Sequence, residues 1–128
     1  MPRLVRDLMT IGVPVCRETE TCATVAARLD RAPVVMALDA DGRPCGWATR
    51  EELAQQPAAR TVAEAMHEDI PTVPPDIPAE AAGQLMRDQG VAYLFLMHTW
   101  PGEPRPAAYL AREAIEQQRL EDEHASFG

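Results

Sequence analysis

Val5-Arg6-Asp7-Leu8-Met9-Thr10 returns as Val62-Ala63-Glu64-Ala65-Met66-His67, 57 residues later. The same offset carries Val15 close to Val73, Ala26 to Gly83, Leu29 to Met86 and Val34 to Val91. A repeat of this period decides the architecture before any single residue does, because each copy must bury its apolar face against something. A piece of about 60 residues buries only about 60% of its unfolded surface, so two such pieces gain by packing together. The chain has 128 residues, 46% of them hydrophobic, which suits a globular protein.

Working outward from the repeated hexamer, each copy gives the same order of elements. Leu4 to Met9 is a short amphipathic helical turn, and an extended stretch surrounds Pro14-Val15. Thr21 to Arg31 reads as a helix with Val25, Ala26 and Leu29 on one face. Pro33 ends it, Val34 to Leu38 is a buried strand, and Asp39-Ala40-Asp41-Gly42 is a turn. Cys45-Gly46-Trp47-Ala48 returns as the second arm of a hairpin, and Thr49-Arg50-Glu51-Glu52-Leu53 opens another helix. In the second copy Thr61-Val62-Ala63-Glu64 is a capping box. Pro71 to Pro75 is extended, Pro78 starts the helix through Leu85-Met86, and Val91 to Leu96 is the buried strand. Leu53 answers to Ile115, so five residues have been added, and the spacing puts them in a surface loop over His98–Pro106. The chain after Ile115 continues as a polar helix that frays at Ser126-Phe127-Gly128.

Composition removes several functions. The net charge is −8 with no basic stripe, which argues against nucleic acid as a partner. All twelve basic residues are arginine, a residue that grips phosphate but that also follows an alanine- and proline-rich composition. Three cysteines without a C-x-x-C pair read as free thiols in a reducing compartment. Met1-Pro2-Arg3 opens no signal sequence, and the longest apolar run, Val91 to Met97, is far short of the ~20 residues that span a bilayer. A cytoplasmic location without membrane attachment is expected. Cys16 and Cys22 stand too far apart for a structural zinc pair, and His67, His98 and His124 do not complete one, so no metal is expected. No nucleophile elbow or Ser/His/Asp ordering is present, so no catalytic residue is assigned and the chain reads as a non-enzyme. Trp47, Tyr93, Phe95, Trp100 and Tyr109 could stack on a purine, but three of them fall in strands where core packing is the simpler role.

The element order, with Asp7-Leu8-Met9-Thr10, Pro33-Val34-Val35, Asp41-Gly42 and Gly46-Trp47-Ala48-Thr49 plus Glu52, resembles the CBS (cystathionine β-synthase) domain, which occurs in tandem pairs called Bateman modules. Glu64-Ala65-Met66, Pro74-Pro75-Asp76 and Arg112-Glu113-Ala114-Ile115 carry the resemblance in the second copy. It implies an α+β fold of two β-α-β-β-α repeats related by pseudo-twofold symmetry, repeat 1 over residues 1–59, repeat 2 over 60–120, and a polar tail over 121–128. It also implies a stand-alone regulatory pair, a homodimer, and an unidentified protein under its control. Members of the family bind AMP, ADP, ATP or S-adenosylmethionine in clefts between the halves. The family's ribose signature is glycine, two apolar residues, then Thr-x-x-Asp. Copy one answers with Gly46 to Glu52, a glutamate replacing the aspartate, whereas copy two has Ala108, Ala111 and Ala114. Residues implied as ligand contacts are Thr10, Val15, Pro33, Val34, Thr49 and Glu52, with Arg50 and Arg112 as phosphate partners. Thr49-x-x-Glu52 is equally a plain capping box, and a pair without ligand, serving as a dimerisation or docking module, stays open beside the sensor.

Overall fold

The structure, a computed structural model, describes residues 3–98 and 104–125. Trp100, part of the expected loop, and the expected frayed end at Ser126 to Gly128 lie outside them. The elements are α1 (Val5–Leu8), β1 (Thr10–Ile11), β2 (Val15–Arg17), α2 (Cys22–Leu29), β3 (Val34–Leu38), β4 (Pro44–Thr49), α3 (Arg50–Ala54), α4 (Val62–Ala65), α5 (Ala79–Gln89), β5 (Tyr93–His98), β6 (Arg105–Ala111) and α6 (Arg112–Ala125). The fold is α+β, and the second copy repeats the order of the first except that isolated bridges at His67 and Thr72 stand where the first has β1 and β2.

The chain divides into two compact units. One comprises residues 12–70 with 97–106, and the other residues 1–11, 71–96 and 107–128. The units therefore exchange the short helix that opens each copy. Helix α4, from the second hexamer, docks on the first copy: Val62 N–H donates to Glu20 O and Ala63 N–H to Glu18 O, both at 2.9 Å. Helix α1 docks in the same way on the second copy, with Val5 N–H to Ile77 O and Arg6 N–H to Pro75 O, both at 3.0 Å. A four-residue helix cannot hold itself together, so it survives only where these bonds and an apolar anchor fix it. The anchors are Val5 and Val62, both fully buried. Each helix also opens with its N-cap N–H donating to a carboxylate three residues on, Leu4 to Asp7 at 2.9 Å and Thr61 to Glu64 at 3.2 Å.

In the unit built on the first copy the sheet order is β2-β3-β4. Strand β3 lies parallel to β2 (Val15 opposite Met36) and antiparallel to β4 (Val34 opposite Thr49). As the central strand β3 is buried from Val34 to Ala37, which is why its sequence is a run of apolar residues and does not alternate. Helix α2 is capped by Thr21, whose hydroxyl accepts from Thr24 N–H at 3.3 Å. It buries Cys22, Val25 and Leu29, spaced for one helical face, in a core with Val35, Ala37, Ala48, Leu53 and Val62. The second unit has the order β1-β6-β5 and a core of Val5, Val73, Ala82, Met86, Leu94, Leu96, Ala108 and Leu110. Among the described residues no helix is long and apolar enough to cross a membrane.

Two sequence expectations change. The offset of 57 holds to the helix starts, Cys22 and Ala79, but the strands are set by other pairs. Arg50 N–H donates to Pro33 O at 2.9 Å and Arg112 N–H to Ala92 O at 2.8 Å, so Ala92 answers to Pro33 and Tyr93, not Val91, answers to Val34. Helix α5 is longer than α2 and ends on Gly90, left-handed at φ 67, and that turn absorbs two of the five added residues. The expected loop is correspondingly shorter: His98 completes β5, and Arg105 and Pro106 already belong to β6.

Candidate functional site

The junction from β4 into α3 gathers several polar contacts of the first unit. Strand β4 delivers Thr49 in an extended conformation (φ −86, ψ 152), and the chain turns into the helix at Arg50. Thr49 Oγ1 accepts from Glu52 N–H at 3.0 Å, and Glu52 Oε1 accepts from Thr49 N–H at 2.9 Å. The capping box read from the sequence is formed in full. Such a box satisfies two of the N–H groups that a helix start leaves open.

Glu52 does more than close the cap. Its second oxygen, Oε2, lies 2.7 Å from His67 Nε2. Burial acts to raise the Glu52 carboxyl, but the hydrogen bonds from Thr49 and His67 and the charge of the imidazole hold it below the usual carboxylate range. His67 follows α4 and is fixed against β4. Its N–H donates to Trp47 O at 2.8 Å, and Trp47 N–H donates to His67 O at 3.0 Å. The imidazole also packs on the Trp47 indole, with centroids 4.7 Å apart and planes tilted by 35°. The indole N–H reaches Asp69 O at 2.9 Å. Gly46 makes this approach possible, because a Cβ built there would lie 2.8 Å from His67 O and 2.5 Å from Met66 Sδ.

Six of the eight expected ligand contacts lie in the first unit, and five of them, Pro33, Val34, Thr49, Arg50 and Glu52, meet at this junction. Val15, 45% exposed, opposes Met36; Val34 opposes Thr49; and Pro33 O takes the Arg50 N–H, which brings Glu52 within the same turn. Val34 itself is fully buried, backbone included, so only its neighbours offer surface. The other two belong to the second unit. Thr10, exposed in β1, opposes Tyr109, and Arg112 opens α6 with Glu116 3.7 Å from its guanidinium. There the junction has Ala111 and Ala114 where the first copy has Thr49 and Glu52, and Arg112 lines a hollow of about 170 Å³ with Tyr93 and Glu113. A larger groove of about 470 Å³ runs between α1, α5 and α6 over Leu8, Gly83 and Ile115.

Sequence reasoning considers His67 for a metal and for catalysis, assigns it to neither, and misses its place beside Glu52. The signal was available: His67 repeats Thr10, and Trp47 repeats Tyr109, so the two bridges are the same feature of the two copies. Among the described residues no group of three His, Cys, Asp or Glu is placed to hold a metal ion.

Comparison with known proteins bears on the repeat directly. The sequence pattern of the CBS domain matches residues 5–58 and 62–99, one copy after the other. This chain belongs to the CBS domain family. Solved structures agree on the tandem CBS fold. A CBS domain pair in complex with 5′-methylthioadenosine and S-adenosyl-L-methionine superposes with a TM-score of 0.78 at 15% identity, covering 95% of this chain and 99% of that one. A CBS-domain containing protein from Agrobacterium tumefaciens gives 0.77 at 18% identity over 93% and 95% of the two chains. The cytosolic domain of the Mg2+ channel MgtE in complex with ATP gives 0.67 at 24% identity, over 86% of this chain but 46% of that one. No curated protein sequence matches the chain.

Proposed function

We propose that this CBS pair is a regulatory module that binds an adenosine-containing ligand at the first copy and passes its occupancy to a partner protein. The observation that carries the reading is the asymmetry of the two strand-to-helix junctions. The first keeps a threonine and a carboxylate beside Pro33 and Val34, and the second has alanine at both polar positions. Two similar structures hold S-adenosyl-L-methionine with 5′-methylthioadenosine, or ATP, which supports the ligand class. AMP, ADP, ATP and S-adenosylmethionine are accordingly the ligands to titrate by calorimetry. One site per chain is expected, weakened about 10- to 150-fold in Glu52→Ala if the carboxylate takes a ribose hydroxyl. No heat and no thermal shift at millimolar ligand would refute the reading.

A second reading has its own support. Both oxygens of Glu52 already have partners within the protein, so the junction is complete without a ligand. On that reading the pair is a dimerisation or docking scaffold, and any nucleotide binding abolished by Glu52→Ala excludes it. Both readings place the chain in a homodimer. A particle of 14.1 kDa in solution scattering at high concentration would contradict that assembly.

A further inference from the structure

We propose that His67 is a positioning residue that latches Glu52: it holds the carboxylate that a ribose hydroxyl would use, so a ligand that turns Glu52 toward itself must draw it off the imidazole. This rests on the nucleotide reading above and adds to it a residue of the site and a dependence on pH.

The latch follows from how differently the two partners are held. A carboxylate accepts about four hydrogen bonds, two on each oxygen. The cap takes one site on Oε1 of Glu52 and the imidazole one on Oε2, so the carboxylate is fixed in direction and not filled. The imidazole is restrained from following Glu52 if that side chain turns toward a ligand. Its backbone is bonded twice to Trp47, its ring packs on the indole, and the indole is tied to Asp69 O. Movement of the carboxylate therefore breaks the contact instead of carrying it along. The latch also occurs only where there is an acid to hold. In the second unit the position of His67 is taken by Thr10 and that of Glu52 by Ala114.

The charge on the imidazole sets the strength of the latch, because a hydrogen bond between two ions is roughly twice as strong as one with a neutral partner. The charged residues on the elements packed around His67 are Arg50, Glu51 and Glu52 of α3, Glu64 of α4 with Arg60 before it, and Glu68 and Asp69 alongside. Glu52 is the group within hydrogen-bond reach of the ring. Loss of the imidazole proton weakens that contact and releases the carboxylate, so ligand affinity is higher on the alkaline side of that step. The pair is partly exposed, which limits the change to about two- to five-fold.

Adenosine and 5′-methylthioadenosine are the probes, since neither carries a phosphate that titrates in the same range. Their affinity is measured by calorimetry between pH 5.5 and 8.0 for the full chain, for His67→Phe, which keeps a ring on Trp47 without a donor, and for His67→Gln, which keeps a neutral donor. The latch predicts about two- to five-fold tighter binding by His67→Phe at low pH, no pH dependence in either variant, and His67→Gln in between. Carbon NMR of the Glu52 carboxyl gives a readout that needs no ligand, and its titration should move up toward the ordinary carboxylate range in His67→Phe. Binding that is unchanged or weaker in His67→Phe, or a Glu52 titration that does not move, overturns the latch and leaves the nucleotide reading standing. Absence of binding in all three proteins overturns that reading, and the latch with it.

Discussion

Alanine at Gly46 and alanine at Gly83 are chemically the same change, and the structure assigns them opposite signs. At Gly46 the new methyl would meet Met66 Sδ at 2.5 Å, Met66 Cγ at 2.8 Å and His67 O at 2.8 Å. The methionine can swing aside, but the carbonyl cannot. It belongs to a backbone held by two hydrogen bonds to Trp47, the residue next to the substitution. Relief requires the segment after α4 to lift from β4, which also stretches the His67–Glu52 contact. Overpacking of this kind costs about 1–3 kcal/mol. For a chain of this length that corresponds to a fall in Tm of roughly 3–15 °C. At Gly83, inside α5, the nearest atoms are Arg87 Nη1 and two Ile115 methyl carbons, all at 3.8 Å, which is ordinary contact. There alanine removes the entropic weakness of glycine in a helix and stabilises by about 0.5–1 kcal/mol. Urea denaturation of the two variants beside the parent, followed by far-UV circular dichroism, measures both. A Gly46→Ala midpoint within error of the parent, or a destabilised Gly83→Ala, would refute the packing argument.

Further outcomes are expected from individual contacts. Glu20 is bonded at both oxygens by Arg28, and that guanidinium, helped by the Arg17 N–H, lowers its carboxyl from 4.5 to about 2. Because the folded value is depressed, its stabilisation is present above pH 4.5 and is lost as pH falls toward 2, so Arg28→Gln should flatten the acid limb of a urea-midpoint profile over that window. Burial, with the Glu18 carboxylate 2.9 Å from its sulfur, pushes the Cys45 thiol up to about 12, so it should alkylate slowly at pH 8 and faster in Glu18→Ala, as mass spectrometry of iodoacetamide-treated protein would show. Thr49→Ala removes the side chain that caps α3 and should cost about 1 kcal/mol in thermal unfolding, with no ligand present.

The helices and strands were legible because burial and capping write periodic patterns. Thr21, Thr49 and Thr61 each stand where a helix begins, and β3 spans Val34 to Leu38 as its apolar run indicates. The drift in register was not legible. Val91 has the same side chain as Val34, but Val91 N–H donates to Met86 O in the turn closing α5, and the strand starts at Tyr93. Their different hydrogen bonds, set by the turn at Gly90, separate the two residues. Nor was the exchange of α1 and α4 legible. A four-residue helix carries one apolar anchor, and that anchor does not say which copy receives it. At the site the sequence placed Thr49 and Glu52 correctly as a capping box, since both lie in one turn. It missed His67 because the contact spans fifteen residues and depends on how α4 docks.

What the cap requires, and what it leaves over, separates structure from function at this site. Helix α3 is only five residues long, far below the length at which a helix sustains itself, so it needs its N-terminus closed whatever the protein binds. Helix α6 has fourteen residues, and its junction carries Ala111 and Ala114 in place of the box. Helix length thus gives Thr49 and Glu52 a structural use beside any ligand. It gives the imidazole none. Glu64 holds the Thr61 N–H and hydroxyl at the start of α4 through one oxygen alone, Oε1. A single oxygen therefore suffices for a cap, and the second oxygen of Glu52, with His67 set against it, is surplus to the helix. That surplus is the part of the junction for which a nucleotide supplies a reason. If His67 serves stability instead, His67→Phe must destabilise the unliganded protein as much as Thr49→Ala does. If it serves a ligand, the two variants separate, with Thr49→Ala lowering the Tm and His67→Phe changing the affinity.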